Sequence, residues 1–303
     1  MSDNADLLDE LQTLKAQRHA VILAHNYQLP EVQDAADFVG DSLGLSRQAA
    51  ATDAEVIVFC GVHFMAETAK LLSPDKLVLI PEPRAGCPMA DMITAEQLRD
   101  FKAQHPGAPV VAYVNTSAAV KAESEVCCTS ANAPAVVRSL PERRILFIPD
   151  QCLGAWVARQ VPDKEIISYP GFCPTHWRIR PESILQLKTE HPQAVVMAHP
   201  ECPEDILALA DAVLSTSGML RWAGETEATE IIVVTEVGLL HQLRRRYPEK
   251  TFHPLGEAVC PNMKMTTLPK LVASLRDLTT EITIPEEIAV RARQSVQRMI
   301  ELG

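Results

Sequence analysis

The chain of 303 residues is long enough for two or three ordinary domains, and hydrophobic residues make up 47% of it. Its formal net charge of −11 at pH 7 argues against nucleic acids and anionic membranes as partners. Residues 1–10 are acidic and polar and lack the basic and apolar segments of a signal peptide, so a cytoplasmic location is expected.

The predicted secondary structure repeats three times along the chain. Each repeat opens with an amphipathic helix, which apolar residues at helical spacing indicate at residues 7–17, 95–104 and 183–189. Each repeat is predicted to contain three helices, including this one, that alternate with three strands and precede a Cys-Pro turn. A final amphipathic helix is predicted at residues 285–302 and is expected to pack back on the body.

The landmarks of the three repeats are evenly spaced. The Cys-Pro dipeptides begin at Cys87, Cys173 and Cys260, at intervals of 86 and 87 residues. An alanine near the end of the first strand and a hydroxyl residue before a helix recur at intervals of 88 and 86 residues. These landmarks are Ala24, Ala112 and Ala198, followed by Ser42, Ser130 and Thr216. A lysine also recurs before each Cys-Pro turn, at Lys76, Lys164 and Lys250.

Strands that are almost entirely apolar and alternate with helices are typical of parallel sheets covered on both faces. We therefore predict an α/β protein of three similar three-layer α/β/α units with parallel sheets. The units are expected to surround a pseudo-threefold axis, with the active site at the centre. They span residues 1–91, 92–179 and 180–277, and residues 278–303 form the helix that packs back on the body.

Polar residues follow the predicted strands at the edge where parallel α/β sheets bind ligands, outside the carboxyl ends of the strands. The residues at the ends of the first strands are His25, Tyr113, Asn115, His199 and Glu201. The three hydroxyl landmarks stand at another strand-to-helix turn, and the Cys-Pro turns follow the last strands. If these ends face inward, all of these residues meet in one central cavity.

Three cysteines, one from each unit, match the number of thiolates that a [4Fe–4S] cluster with one open iron needs. The open iron could bind a substrate oxygen as a Lewis acid. A reducing cytoplasm disfavours disulfides, and the sequence has no C-x-x-C pair typical of a zinc ribbon. A single cysteine is more often a core residue, but three in register favour Cys87, Cys173 and Cys260 as ligands. The remaining cysteines are predicted to be structural: Cys60, Cys127, Cys128, Cys152 and Cys202.

The sequence Gly40-Asp41-Ser42-Leu43 matches the opening motif of a class of serine esterases. That class also needs an Asp three residues before a His, and this sequence has none. We therefore interpret Ser42 as a helix cap that holds an anion together with backbone N–H groups, as Ser130 and Thr216 would in the other units. Plain helix capping remains the alternative for any one of them.

Two histidines in the second and third repeats are candidates for chemistry. His199 and Glu201 form a candidate acid/base pair for removing a proton next to a carbonyl or imine. A merely hydrogen-bonded histidine and a solvated glutamate are the alternatives. His176 lies three residues after Cys173, where a hydrogen bond to the ligand and a substrate role are equally open.

Six short motifs form a set that is specific, although none of them is so alone. They are His25-Asn26-Tyr27, Gly40-Asp41-Ser42, Tyr113-Val114-Asn115-Thr116, Cys127-Cys128-Thr129-Ser130, His199-Pro200-Glu201 and Cys260-Pro261-Asn262-Met263-Lys264. As a set they resemble the quinolinate synthase family, from about His25 to Thr267. Some members carry a C-x-x-C-x-x-C near the C-terminus, whereas this chain has only Cys260 there, so a redox switch built on that motif is absent.

The resemblance implies an enzyme of NAD biosynthesis that condenses iminoaspartate with dihydroxyacetone phosphate, giving quinolinate, phosphate and two waters. It implies a [4Fe–4S] cluster on the three Cys-Pro cysteines and an aspartate-oxidising partner that supplies iminoaspartate. Tyr27 would move protons, with Glu201 as the base and His199 beside it. The substrate-binding residues would be His25, Ser42, Tyr113, Val114, Asn115, Ser130, His176, His199, Pro200, Glu201 and Thr216.

Other functions stay open at this point. One is another [4Fe–4S] Lewis-acid dehydratase or lyase, and a second is the serine esterase, which the missing base opposes. The third is an iron–sulfur sensor or electron carrier. A carrier usually fills all four cluster positions with cysteine, and a sensor usually carries a DNA-binding element that is not apparent here.

Overall fold

The computed structural model describes residues 2–302, in which twelve β-strands form three four-stranded sheets. The first sheet contains β1 (Ala20–His25), β2 (Phe38–Gly40), β3 (Val56–Cys60) and β4 (Leu77–Leu79). The second contains β5 (Val110–Tyr113), β6 (Val126–Cys128), β7 (Arg144–Ile148) and β8 (Glu165–Ser168). The third contains β9 (Val195–Ala198), β10 (Ala212–Val213), β11 (Glu230–Val234) and β12 (Thr251–Pro254). All pairs between these strands are parallel, and the three sheets share one strand order, with the second strand at an edge beside the first.

Helices connect the strands. The helices of the first repeat are α1 (Ser2–Arg18), α2 (Pro30–Ala35), α3 (Ser42–Ala51) and α4 (His63–Leu72). Those of the second are α5 (Ala95–Gln104), α6 (Ala118–Lys121), α7 (Ala133–Ser139), α8 (Gln151–Gln160) and α9 (Pro174–Trp177). The remaining helices are α10 (Pro181–Glu190), α11 (Glu204–Leu207), α12 (Thr216–Glu225), α13 (Leu239–Arg246), α14 (Leu268–Asp277) and α15 (Glu286–Glu301). Within residues 2–302, none of the helices combines the length and the apolar character needed to cross a membrane.

Adjacent residues of the central strands pack into different cores, which explains why these strands are apolar throughout. In β1, Val21 and Leu23 join one hydrophobic cluster, while Ile22 and Ala24 join another. Strand β11 alternates between two clusters in the same way. Because successive side chains of a strand point to opposite faces, both faces of these sheets are covered. The predicted α/β class, with three α/β/α units and parallel sheets, is confirmed.

Each repeat contains more elements than the three helices and three strands predicted, so that detail of the prediction was wrong. The segments between the β-branched runs and the Cys-Pro turns contain a further helix and the edge strands β4, β8 and β12. Strand β12 reads Thr-Phe-His-Pro, and only Phe252 among these residues is buried. A short, half-exposed edge strand lacks the apolar run on which the prediction depended.

Each of the three recurring lysines donates hydrogen bonds to backbone carbonyl groups of a loop in its own repeat. Lys76 donates from Nζ to the carbonyl oxygens of Thr52 (2.5 Å) and Ala54 (2.7 Å). Lys164 and Lys250 each donate to two carbonyl oxygens of the equivalent segments. Each of these lysines therefore satisfies two backbone acceptors in its own repeat, and their recurrence reflects the construction of the fold.

Two helices near the C-terminus pack on parts of the structure that precede them in the chain. Helix α14 packs against α1, and Leu271 and Leu275 share a hydrophobic cluster with Leu11. It lies within residues 180–277, predicted as the third unit, yet its contacts join it to the first sheet. Helix α15 packs against α4, α6 and β6, between the first two sheets. The unit boundaries themselves stay a prediction.

Candidate active site

One cavity of about 120 Å³ lies at the carboxyl ends of the strands and is lined by residues from all three units. Its lining includes the cysteines of the three Cys-Pro turns. The predicted polar residues that line it are His25, Tyr27, Ser42, Tyr113, Asn115, Ser130, His176, His199, Glu201 and Thr216. The shared cavity is the arrangement expected when equivalent strand ends face a pseudo-threefold axis.

Two predicted substrate contacts, Val114 and Pro200, are buried but do not belong to the lining of this cavity. Val114 packs in the main hydrophobic cluster. Both come just after the end of a strand, between neighbours that line the cavity. Their substrate contact stays a prediction.

The three predicted ligand cysteines differ in exposure from the other cysteines. Cys87, Cys173 and Cys260 are half-buried and line the cavity. Cys127 and Cys128 are fully buried in the core, in agreement with their structural assignment. The remaining cysteines are also buried: Cys60, Cys152 and Cys202.

The chemistry of the three cavity cysteines fits an iron–sulfur cluster. Burial raises the pKa of the Cys87 thiol to about 12, and the charges of Glu201 and Cys260 contribute in the same direction. Burial also raises the pKa of the Cys173 thiol, with a further contribution from Cys87. Bound metal would deprotonate such thiols and supply the charge that compensates for the buried thiolates.

His25 and His199 occupy equivalent positions and make the same hydrogen bond. Nδ1 of each imidazole accepts from the backbone N–H two residues later, at 3.2 Å from Tyr27 and 3.3 Å from Glu201. Burial lowers the pKa of both imidazoles to about 3, so both are neutral. With Nδ1 as the acceptor, the hydrogen bonds assign the ring proton to Nε2. Each Nε2–H is then available to donate to a ligand in the cavity.

Glu201 is buried among hydrogen-bond donors. The Tyr113 hydroxyl donates to Oε1 at 2.6 Å, and His176 Nδ1 lies 2.8 Å from Oε2. Burial alone would raise the pKa of Glu201, but His176, His199 and the two hydrogen bonds outweigh it and hold the pKa well below its usual range. Glu201 is therefore ionised, as a proton acceptor must be, and donors hold both of its carboxylate oxygens in place.

A chain of hydrogen bonds continues from Glu201 to Tyr27. His176 Nε2 lies 2.9 Å from Thr235 Oγ1, and the Tyr27 hydroxyl lies 2.6 Å from the same oxygen. Burial and the charge of Glu201 raise the pKa of Tyr27 well above its ordinary value, so this hydroxyl keeps its proton and donates. With the His176 proton on Nδ1 facing Glu201, donors and acceptors alternate along the whole chain. His176 Nδ1 also lies 3.2 Å from Cys173 Sγ, so the expected contact with this predicted ligand is present.

Glu236 links a predicted ligand to the backbone around Tyr27, and no sequence motif had indicated it. Its fully buried carboxylate accepts from the backbone N–H of Cys260 at 3.1 Å and from that of Gly238 at 2.7 Å. Lys264 Nζ lies 3.0 Å from the same carboxylate and donates to the Tyr27 carbonyl oxygen at 2.6 Å. The signal that was overlooked is the polar pair Thr235-Glu236 directly after the apolar strand β11.

The predicted helix-capping role of the hydroxyl residues was wrong. Asp41 caps α3 by accepting from the Gly44 backbone N–H at 2.8 Å, and Ser215 caps α12. Ser42 and Thr216 are the first residues of these helices, because the residue before each provides the capping oxygen. Their hydroxyls therefore line the cavity beside two helix N-termini, where anions are favoured.

Ser130 and Asn115 complete the polar lining from the second unit. Ser130 lies in the turn before α7, whose cap position is Asn132, so Ser130 is not a cap either. Asn115 Oδ1 is buried and has no hydrogen-bond partner among residues 2–302. A buried polar oxygen without a partner inside a cavity indicates that a ligand satisfies it. One basic residue that sequence reasoning did not select, Arg178, also lines the cavity and is exposed.

The model of the family described as quinolinate synthetase A protein matches residues 9–301. The chain belongs to this family. It is 59% identical over 294 residues to a quinolinate synthase of Dehalococcoides mccartyi, covering 97% of each chain. A quinolinate synthase of Thermodesulfovibrio yellowstonii is 53% identical over 296 residues, covering 97% of this chain and 98% of the relative. The quinolinate synthase of Aquifex aeolicus is 50% identical, covering 98% of this chain and 94% of the relative. The predicted resemblance is confirmed, and the protein is an enzyme.

Proposed function

We propose that the protein condenses iminoaspartate with dihydroxyacetone phosphate to quinolinate, releasing phosphate and two waters, as a step of NAD biosynthesis. Membership of the quinolinate synthetase A family supports this proposal. The observation that carries it is the meeting of three cysteines, one from each repeat, in the cavity that also contains the buried acid/base groups. This combination disfavours the serine esterase, whose missing base would have to come from elsewhere.

Cys87, Cys173 and Cys260 would hold a [4Fe–4S] cluster in the cavity. When bound, the cluster would supply one iron without a protein ligand, which acts as a Lewis acid toward an oxygen or nitrogen of the substrate. Three thiolates leave that position open, and the half-buried cysteines face the space that substrates would enter. A carrier of electrons would instead be expected to close the fourth position.

The anionic groups of both substrates have donors along the cavity wall. Ser42 and Thr216 lie at the N-termini of ten-residue helices, and Ser130 lies across from them in the second unit. The Nε2–H groups of His25 and His199 add two neutral donors. Neutral donors bind carboxylate and phosphate oxygens without the cost of burying further cations. We assign these five residues to substrate binding.

The residues around Glu201 would handle the protons of the reaction. Glu201 would take a proton from carbon next to a carbonyl or imine, with the Tyr113 hydroxyl and His176 holding its carboxylate in place. Tyr27 would donate a proton to the substrate, and the proton that Glu201 takes from carbon would be returned to Tyr27 through His176 and Thr235, whose hydrogen bonds join the two groups. The two tyrosines thus serve the two ends of one proton path.

An enzyme that oxidises aspartate would be needed to supply iminoaspartate, and we propose such an enzyme as the functional partner. The acidic chain, with its formal net charge of −11, offers no support for a nucleic-acid or membrane partner. A cytoplasmic location would place the enzyme beside both of its small-molecule substrates.

Replacing Tyr27 by Phe tests the proposed chemistry. The ring remains and only the hydroxyl is lost, so the fold and the cluster content should be retained. If the hydroxyl transfers protons, quinolinate formation should fall by roughly two to four orders of magnitude. Anaerobic steady-state kinetics, with iron and sulfide measured in the same sample, give the answer. Near-normal turnover with a full cluster would remove Tyr27 from the mechanism, and a wild-type protein that forms no quinolinate would reject the function.

A further inference from the structure

A second group of metal-ligating side chains lies outside the central cavity, in the third sheet. His191 Nδ1 lies 3.0 Å from Glu230 Oε2, and His253 Nε2 lies 2.9 Å from the same oxygen. The three ligand atoms all lie within 4.8 Å of one another. Two imidazole nitrogens and one carboxylate oxygen therefore lie close enough together to share one ion.

The fold places these residues away from the proposed active site. Glu230 is the first residue of β11, His253 lies on the neighbouring strand β12, and His191 follows the last residue of α10. The active-site residue Thr235 follows the opposite end of β11. At a strand rise of about 3.3 Å per residue, the five residues from Glu230 to Thr235 span roughly 16 Å. The cluster is thus a separate site at the amino-terminal edge of the third sheet.

The two imidazole rings are adjacent, but both must turn to bind one ion. Their centroids are 3.7 Å apart and their planes differ by 25°, so the rings stack and the in-plane lone pairs of their nitrogens run nearly parallel. Rotation of these partly exposed side chains about their Cα–Cβ and Cβ–Cγ bonds would aim one nitrogen of each ring at a shared ion. Tetrahedral zinc with bonds of about 2.0–2.1 Å separates its ligand atoms by about 3.3 Å. The nitrogen–oxygen distances of 2.9 and 3.0 Å need only a small expansion to admit an ion.

The site is open to solvent on one side. The side chains of His191 and Glu230 are 33% and 36% exposed, while that of His253 is 12% exposed. An ion can therefore enter directly, and water can complete its coordination. Neutral imidazole coordinates through one nitrogen while the other carries the proton. Binding would thus place the proton of His191 on Nε2 and that of His253 on Nδ1.

We propose that His191, Glu230 and His253 bind a divalent transition-metal ion of the Zn²⁺ type, with water as the remaining ligand. Two nitrogens and one carboxylate match the preferences of zinc and its neighbours, whereas Mg²⁺ and Ca²⁺ prefer oxygen ligands only. The bound ion would link the end of α10 to strands β11 and β12. It would stabilise the native fold without taking part in the reaction.

A matched control is available elsewhere on the surface, where the third repeat meets the first. His241 Nε2 lies 2.8 Å from Asp34 Oδ1, and Arg245 Nη1 lies 2.9 Å from the same oxygen. This pair resembles half of the proposed site, but a cation that cannot coordinate a metal stands in the third position. Replacing His241 by Ala therefore removes an exposed histidine–carboxylate pair without touching the proposed ligands.

The test measures zinc binding to the protein reconstituted with iron and sulfide, under anaerobic conditions. Isothermal titration with ZnCl₂ would be performed on the wild type and on the His191→Ala, Glu230→Gln and His241→Ala variants, with MgCl₂ as a second titrant. Cluster absorbance would be followed throughout. Any zinc bound by the cavity cysteines is common to all four proteins. Differences in the amount of zinc bound per chain therefore measure binding at the proposed site.

The wild type and His241→Ala should each bind one Zn²⁺ per chain more than His191→Ala and Glu230→Gln, and Mg²⁺ should not replace it. Zn²⁺ should raise the melting temperature only of the two proteins that retain the site, because an ion that binds the native state alone stabilises it. Equal zinc stoichiometry and affinity in the wild type and both ligand variants would overturn the proposal. Equal binding of Mg²⁺ and Zn²⁺ to the wild type would overturn it as well.

Discussion

Replacing Thr235 by Val tests whether the Thr235 hydroxyl carries protons between Tyr27 and His176 in the proposed proton path. The two side chains have nearly the same shape, and Thr235 is 1% exposed, so the substitution removes a buried hydroxyl and little else. That hydroxyl contacts Tyr27 at 2.6 Å and His176 Nε2 at 2.9 Å. The variant therefore keeps both neighbours but disconnects them.

The structure gives two different magnitudes for this change. Each buried polar group left without a partner costs about 1–3 kcal/mol, so two such groups should lower the free energy of unfolding by about 2–6 kcal/mol. If the hydroxyl only orients Tyr27, a hydrogen bond of about 0.5–1.5 kcal/mol corresponds to a roughly 2- to 10-fold lower turnover. If protons pass through Thr235, turnover should fall by roughly 100-fold or more. We expect the larger loss of turnover.

The assay combines denaturant unfolding with anaerobic turnover and cluster content for four proteins: the wild type, Thr235→Val, Tyr27→Phe and the double variant. Residues that act through one path lose less together than the sum of their separate losses. Thr68→Val is the control, because its hydroxyl is also buried but donates only within α4. A loss of turnover below about tenfold in Thr235→Val, or additive losses in the double variant, would refute the proton path.

Three further predictions concern the ligands, the anion site and the packing of the cavity. Cys87→Ser should abolish a stable cluster while Cys202→Ser retains it, measured as iron and sulfide after anaerobic reconstitution; a full cluster in the first variant contradicts the assignment. Thr216→Ala should weaken the apparent affinity for the phosphorylated substrate by roughly tenfold or more, through loss of a hydrogen bond of about 1.5–3 kcal/mol. Gly238→Ala should reduce turnover, because its new Cβ would lie 2.7 Å from the backbone of Tyr27. Gly256→Ala should leave turnover unchanged, because its Cβ would meet nothing within 4 Å. Unchanged affinity in the threonine variant, or equal kinetics of the two alanine variants, would count against these explanations.

The repeat was the most informative feature of the sequence. Cysteines at Cys87, Cys173 and Cys260 are far apart along the chain, yet equivalent positions of a repeated unit must occupy equivalent places in the fold. Strand ends of parallel sheets bind ligands, so the equal spacing was enough to predict one shared cavity. The same reasoning could not tell a cavity residue from a structural one, as the recurring Lys76 illustrates.

The sequence-based prediction of helix caps was wrong where two adjacent residues could both provide the cap. Ser42 and Thr216 have good capping side chains, but Asp41 and Ser215 stand one residue earlier and provide the caps. The roles of Thr235 follow from long-range contacts across the cavity, which local pattern does not encode. The amphipathic and alternating patterns specify which face of an element is buried, whereas hydrogen-bond partners depend on the assembled units.

We propose that the three-cysteine cavity converts iminoaspartate and dihydroxyacetone phosphate to quinolinate. The most direct test measures quinolinate and phosphate in one anaerobic reaction, with cluster-loaded and cluster-free protein at equal concentration. We expect one phosphate for each quinolinate, formed only by the cluster-loaded protein. Quinolinate formed equally well without the cluster, or no quinolinate from fully loaded protein, would contradict it.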